Sequence, residues 1–81
     1  MTENEIFEKV KKIIVDVLRI DAEKVTLNSK IIADLGAESL DIITLLMEFE
    51  DEFKSKIPDQ DAEKLVTVEN IVKYIAEKAN A

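Results

Sequence analysis

One glycine, Gly36, and one proline, Pro58, are all that this 81-residue chain offers of the two strongest turn formers. A turn-rich β fold draws on many such residues, because its corners need positive or preset φ angles. Around these two points, apolar residues recur every three or four positions, the spacing that lays a stripe along a helix. The chain is thereby directed to an all-α fold, a four-helix bundle with three main helices, one short helix and a long first loop. Its length suits a single domain over 1–81 with a modest core and no room for an enzyme-sized cleft.

The first helix begins at Thr2, whose hydroxyl can cap it, with Glu5 completing a capping-box pattern. Ile6, Val10, Ile13, Ile14, Val17 and Leu18 form its core face, opposite Lys9, Lys11, Lys12 and Asp16. From Ile20 to Glu38 the periodicity lapses. Asp21, Thr26, Asn28 and Ser29 are turn or cap formers there, while Val25, Leu27, Ile31, Ile32 and Leu35 are expected to anchor the segment to the core. So long a connection in a small domain is more often functional than idle, and a short helical turn fits within it. It ends on Gly36, just before Ser39.

The second helix, from about Ser39 to Phe53, carries two apolar stripes. At about 100° per residue, Ile42, Leu45, Leu46, Phe49 and Phe53 share a sector of roughly 100°, enough for a core face. Leu40, Ile43 and Met47 cluster within about 60° on a side roughly 135° away. This second stripe is rimmed by acids and is read as a face for a partner; the alternative is that another helix of the domain covers it. Lys54 to Pro58 then break the pattern. Asp59 is expected to cap a short helix containing Ala62 and Leu65, with Asp61 and Glu63 in its first turn. Thr67 caps the last helix, whose stripe is Val68, Ile71, Val72, Ile75, Ala76 and Ala79. Tyr74 lies at the edge of that stripe with its hydroxyl in water, and the tail from Lys78 to Ala81 frays.

Charge and missing residue types exclude several functions. Eighteen acids against 11 bases give a net charge of −7, so nucleic-acid backbones and anionic membranes are poor partners. Between Ile31 and Phe53 there is no Lys or Arg, while Asp34, Glu38, Asp41, Glu48, Glu50, Asp51 and Glu52 all fall there. Such a run is either a solvated face or a docking surface that steers basic partners. With no cysteine and no histidine, the chain lacks disulfides, thiolate metal sites and the usual general base. Asp59, Asp61 and Glu63 alternate as in a calcium loop, but Lys64 stands where that loop's glycine belongs and Asn70 where its closing Glu belongs, so no metal site is assigned. No segment approaches a membrane span, and Met1 to Glu5 lack the basic and apolar regions of a signal peptide, so a cytoplasmic protein that does not insert into membranes is expected. No base is at hand to activate Ser39, so the bare chain is read as non-catalytic.

Ser39 remains. A turn residue feeds it into a helix N-terminus, where unpaired N–H groups and the helix dipole welcome a phosphate. If it carries a phosphodiester-linked group the chain is a carrier; if not, it is only a cap.

The stretch Asp34-Leu35-Gly36-Ala37-Glu38-Ser39-Leu40-Asp41 resembles the phosphopantetheine-attachment motif of acyl carrier proteins. Ile57-Pro58-Asp59, Ala62-Glu63-Lys64, Thr67-Val68, Tyr74-Ile75 and the loop from Val25 to Leu35 resemble the rest of that family, so nearly the whole chain is covered. The resemblance implies that a phosphopantetheinyl transferase (holo-acyl-carrier-protein synthase) modifies Ser39 with 4'-phosphopantetheine from coenzyme A, and that acyl groups ride on it as thioesters. It implies contacts through Leu40, Ile43 and Met47 with acyl-transferring and fatty acid synthase enzymes, whose basic docking patches meet Glu38, Asp41, Glu50 and Asp51. It also implies an acyl pocket lined by Ile42, Leu46, Phe49, Ile57, Leu65 and Ile71, in a monomeric carrier.

Three positions depart from the family pattern: Glu38 stands where Asp is usual, Thr44 where Glu is usual, and Glu48 where a small apolar residue is common. Fatty acid synthesis is the favoured pathway. A dedicated carrier for a polyketide, D-alanyl or other specialised product is the alternative, and an unmodified acidic helical adaptor is the reading from another class.

Overall fold

The computed structural model describes residues 2–79, arranged as α1 (Glu3–Leu18), a 3-10 turn (Ala22–Lys24), α2 (Ser39–Phe53), a single-turn α3 (Asp59–Ala62) and α4 (Val68–Ala79). The all-α bundle with a long first loop is the fold expected. At the head of α1, Thr2 Oγ1 accepts from Glu5 N at 3.2 Å and the Glu5 carboxylate accepts from Thr2 N at 3.0 Å. Both α1 and α2 end on a residue in the left-handed region, Arg19 (φ 56°) and Lys54 (φ 51°), which turns the chain away.

Helix α1 packs on both α2 and α4. Ile6, Val10 and Ile14 are sealed from solvent against Leu45 and Phe49 of α2 and against Val68, Ile71, Val72, Ile75 and Ala76 of α4. Ile13, Val17 and Leu18 flank them half-buried, as do Ile42, Leu46 and Phe53. Phe7, which lies off the α1 stripe, joins the core edge and carries the Lys11 ammonium 5.4 Å from its ring centre. An ion pair from Lys9 to Glu52 at 3.1 Å ties α1 to α2, though its exposure keeps its contribution small.

The long loop does much of its work through its backbone. Val68 N donates to Ser29 O and Glu69 N to Leu27 O, each at 3.0 Å, while Ile31 N donates to Val66 O at 3.0 Å. Thr67 Oγ1 accepts from Asn70 N at 3.1 Å and Asn70 Oδ1 accepts from Thr67 N at 3.1 Å. The first three N–H groups of α4, which a helix leaves unpaired by itself, are thereby all satisfied. Ser29 is buried and accepts from Thr26 N at 3.0 Å while donating to Lys24 O at 3.0 Å, which holds the loop in shape.

Several expectations are corrected. Val25, Ile31 and Leu35 anchor the loop, but Leu27 and Ile32 do not, being 41% and 65% exposed. Residues 30–36 wind as turns, with Asp34 N donating to Lys30 O and Gly36 N to Ile32 O, so Ile31 and Leu35 share the inner side and Ile32 faces out. Leu27 contributes its carbonyl rather than its side chain. Asp59 is the first residue of α3 and not its cap. That place falls to Pro58, whose carbonyl accepts from Asp61 N and Ala62 N at 2.9 Å each. Glu63 therefore closes α3 instead of entering its first turn, and Leu65 lies beyond it. Ala79 is exposed at the end of α4. The Tyr74 hydroxyl is not free in water: it donates to Asp61 Oδ2 at 2.7 Å. Of the tail expected to fray, Lys78 and Ala79 are still helical, and Asn80 and Ala81 lie outside the described residues.

Candidate functional site

The approach to Ser39 is built by the loop's last turn. Lys30 N donates to Asp34 Oδ2 at 2.8 Å, Leu35 N donates to Lys30 O at 3.1 Å, and Ala37 N donates to Ile31 O at 3.2 Å. Gly36 reverses the chain with φ 74°, and a Cβ added there would meet nothing within 4 Å. Backbone conformation, not crowding, is what asks for glycine here. Ala37 then tucks into the core, and Glu38 adopts the extended N-cap conformation of α2.

Ser39 is thus the first residue of α2 and not its cap. Glu38 holds that place, and Asp41 Oδ2 accepts from Glu38 N at 2.9 Å. Ser39 is exposed, and among the described residues its N–H and that of Leu40 have no protein acceptor. The contrast with α4 is chemical. There the loop and Thr67 between them fill the first three donors, whereas here an exposed hydroxyl stands beside two open N–H groups at the positive end of a fifteen-residue helix. That arrangement suits a phosphodiester on Ser39 Oγ. Among the described residues no group of acids could hold a metal ion, and the chain has no histidine.

Beyond Ser39, Leu40, Ile43 and Met47 are 76%, 55% and 63% exposed, so among the described residues no helix covers this stripe. Asp51 and Glu38 are exposed beside it, and Asp41 and Glu50 are half-buried. Two of these acids also serve the fold. Asp41 caps α2, and Glu50 Oε2 accepts from Ile57 N at 2.7 Å, holding the chain as it leaves α2 for Pro58. Thr44 Oγ1 folds back to donate to Leu40 O at 3.1 Å, so its hydroxyl is spent within the helix.

On the other side of α2, Ile42, Leu46, Phe49, Leu65 and Ile71 come together with Ile31, Leu45 and Ala62 around an apolar cavity of about 20 Å³. Ile57 is buried but does not line it: its N–H bond to Glu50 sets it at the head of the following segment. An outer cleft of about 340 Å³ lies between residues 30–33 and 62–66, and shares Ile31, Ile42, Ala62 and Leu65 with the cavity. Those four side chains form the throat between the two. Ile31 and Ala62 as lining residues escape sequence reading, because one sits in a loop and the other in a single helical turn, where no periodicity marks a face.

The chain matches the family model described as the phosphopantetheine attachment site over residues 8–75. It is 50% identical over 80 residues to the acyl carrier protein of Petrotoga mobilis, covering 99% of this chain and 94% of that protein. Against the acyl carrier protein of Campylobacter lari it is 53% identical over 70 residues, covering 86% and 91% respectively. Against that of Akkermansia muciniphila it is 51% identical over 75 residues, covering 93% and 94%.

Proposed function

This chain belongs to the acyl carrier protein family, whose members are non-catalytic carriers of acyl groups on covalently attached phosphopantetheine, and on that premise we propose that Ser39 is the attachment residue. The carrying observation is the pair of open N–H groups beside an exposed hydroxyl at the head of α2, set against an α4 whose first-turn donors are filled. A phosphodiester there gains hydrogen-bond donors and a favourable dipole at once. The bound arm supplies the thiol that the chain lacks, and the chain's own residues position it. Ser39 fixes the tether at a rigid helix end, so a docked enzyme meets the cargo at high effective concentration.

The pathway proposed is fatty acid synthesis, in a cytoplasmic monomer with one carrier domain over 1–81. Partners are a phosphopantetheinyl transferase and acyl-transferring enzymes with basic patches. Leu40, Ile43 and Met47 form the apolar centre of the docking face, and Glu38, Asp41, Glu50 and Asp51 its charged rim. The apolar cavity and its throat form the acyl pocket, to which Ile42, Leu46, Phe49, Leu65 and Ile71 contribute walls and Ile57 contributes support.

Incubation of the unmodified protein with coenzyme A and a transferase, followed by intact-mass measurement, tests the attachment. One phosphopantetheinyl mass is expected on the wild type and none on Ser39→Ala. No mass gain, or a gain that survives the substitution, overturns the reading. The mass of the acylated species from its own cell tests the pathway, and a D-alanyl or polyketide cargo in place of a fatty acyl chain would refute it.

A further inference from the structure

A cavity of about 20 Å³ has room for roughly one water and for no acyl chain, so cargo enters only by displacement of a wall. Of the elements that line it, α2 and α4 are long helices packed on α1, whereas α3 is one turn of four residues. The segment carrying α3 is held at its two ends, by Ile57 N on Glu50 and by Val66 O on Ile31 N. Between those ends, among the described residues, one side-chain bond ties it to a main helix: Tyr74 Oη to Asp61 Oδ2 at 2.7 Å. Asp61 directly precedes Ala62, a throat residue of the cavity.

We infer that the Tyr74–Asp61 hydrogen bond is a latch that holds α3 as the closed wall of the cavity, and that insertion of an apolar acyl chain requires this bond to yield. Tyr74 and Asp61 are thus positioning residues: neither lines the cavity, and both set where Ala62 and Leu65 stand. The inference rests on the acyl-pocket reading above. Its physical content is that the bond biases α3 toward the empty, closed arrangement and therefore opposes sequestration of cargo.

Hydrogen exchange on the unmodified protein tests the latch independently of any cargo. In Tyr74→Phe, which deletes only the hydroxyl, the amides of Ala62, Glu63 and Leu65 are expected to exchange about tenfold faster, as the loss of one partly buried hydrogen bond implies. Those of Val10 and Val72 in the core should be unchanged. Asp61→Ala should do the same, Asp61→Asn should retain most of the protection because its carbonyl still accepts, and the double variant should exceed neither single one. Unchanged exchange in α3, or equal acceleration throughout the chain, overturns the latch.

For the cargo step, wild type and Tyr74→Phe are loaded with an octanoyl thioester and exposed to hydroxylamine. Cleavage is expected to be at least threefold slower in the variant, because a freed wall lets the chain spend more time inside. Equal or faster cleavage overturns the role of the bond in insertion. If Ser39 takes up no arm at all, the carrier reading fails by mass alone, and the exchange result still judges the latch.

Discussion

Glu50 is the residue at which docking and folding can be separated. Its Oε2 accepts from Ile57 N at 2.7 Å, while its charge belongs to the docking rim proposed above. A hydrogen bond to a charged group contributes about 1.5–3 kcal/mol, and half-burial places this one near the lower end, about 1.5 kcal/mol. In Glu50→Ala the Ile57 N–H, next to a buried side chain, loses its acceptor. At about 4–8 °C per kcal/mol for a domain of this size, the midpoint of thermal unfolding should fall by about 6–12 °C. Glu50→Gln keeps an amide oxygen in reach and should fall by less than about 4 °C, since a neutral bond contributes about 1 kcal/mol. Docking should respond to charge alone. Both variants should slow encounter with a basic partner equally at low salt, and the deficit should shrink as screening shortens the Debye length to about 8 Å at physiological ionic strength. Circular dichroism melts and stopped-flow association measure the two effects. Equal melting points for Gln and Ala, or an Ala variant as stable as wild type, would refute the assignment of the Ile57 bond.

Met47→Glu and Asp51→Lys should each weaken acyl transfer to partner enzymes by about tenfold while shifting stability by no more than about 0.5 kcal/mol, because both side chains are exposed. A collapse of helicity in either would mean that the stripe belongs to the core. Gly36→Ala should lose about 1 kcal/mol to left-handed strain alone, and Gly36→Asn less, as read by denaturant midpoints. Equal losses would point to a steric cause. Tyr74 is the only tyrosine of the chain, so ultraviolet titration reports it directly. Partial burial first, and then its bond to Asp61, push its hydroxyl up to about 12 from an ordinary value of 10.0. A folded pKa above the unfolded one stabilises the native state below pH 10 and is lost as pH rises toward 12, so unfolding by alkali should set in over that window. In Tyr74→Phe that part of the alkaline loss should vanish.

The helices were legible because periodicity records which face meets a core. Thr2 with Glu5, and Thr67, stand at the heads of α1 and α4 as their hydroxyls foretold, and Leu40, Ile43 and Met47 are exposed as their angle on the helical wheel demanded. Short polar side chains bond within three residues, so such features are local. Where the structure departs from the side-chain pattern, the deciding acceptor is a backbone carbonyl, which every residue carries and residue type does not mark. Ile32 faces outward because turns closed on the Lys30 and Ile32 carbonyls rotate it away from the core, and Asp59 enters α3 because the Pro58 carbonyl accepts at its head.

An all-α chain with an acidic second helix, one turn glycine before Ser39, and neither histidine nor cysteine is legible in the residues alone. These follow from residue type and spacing, which act within a turn or two of helix. Tertiary structure decided the rest: that the first-turn donors of α4 are filled by Ser29 and Leu27 while those of Ser39 and Leu40 stay open, that Glu50 is committed to Ile57, and that Tyr74 reaches Asp61. Except for the bond from Glu50 to Ile57, each joins or fails to join groups more than ten residues apart. Such pairings exist only once the core has brought separate segments together.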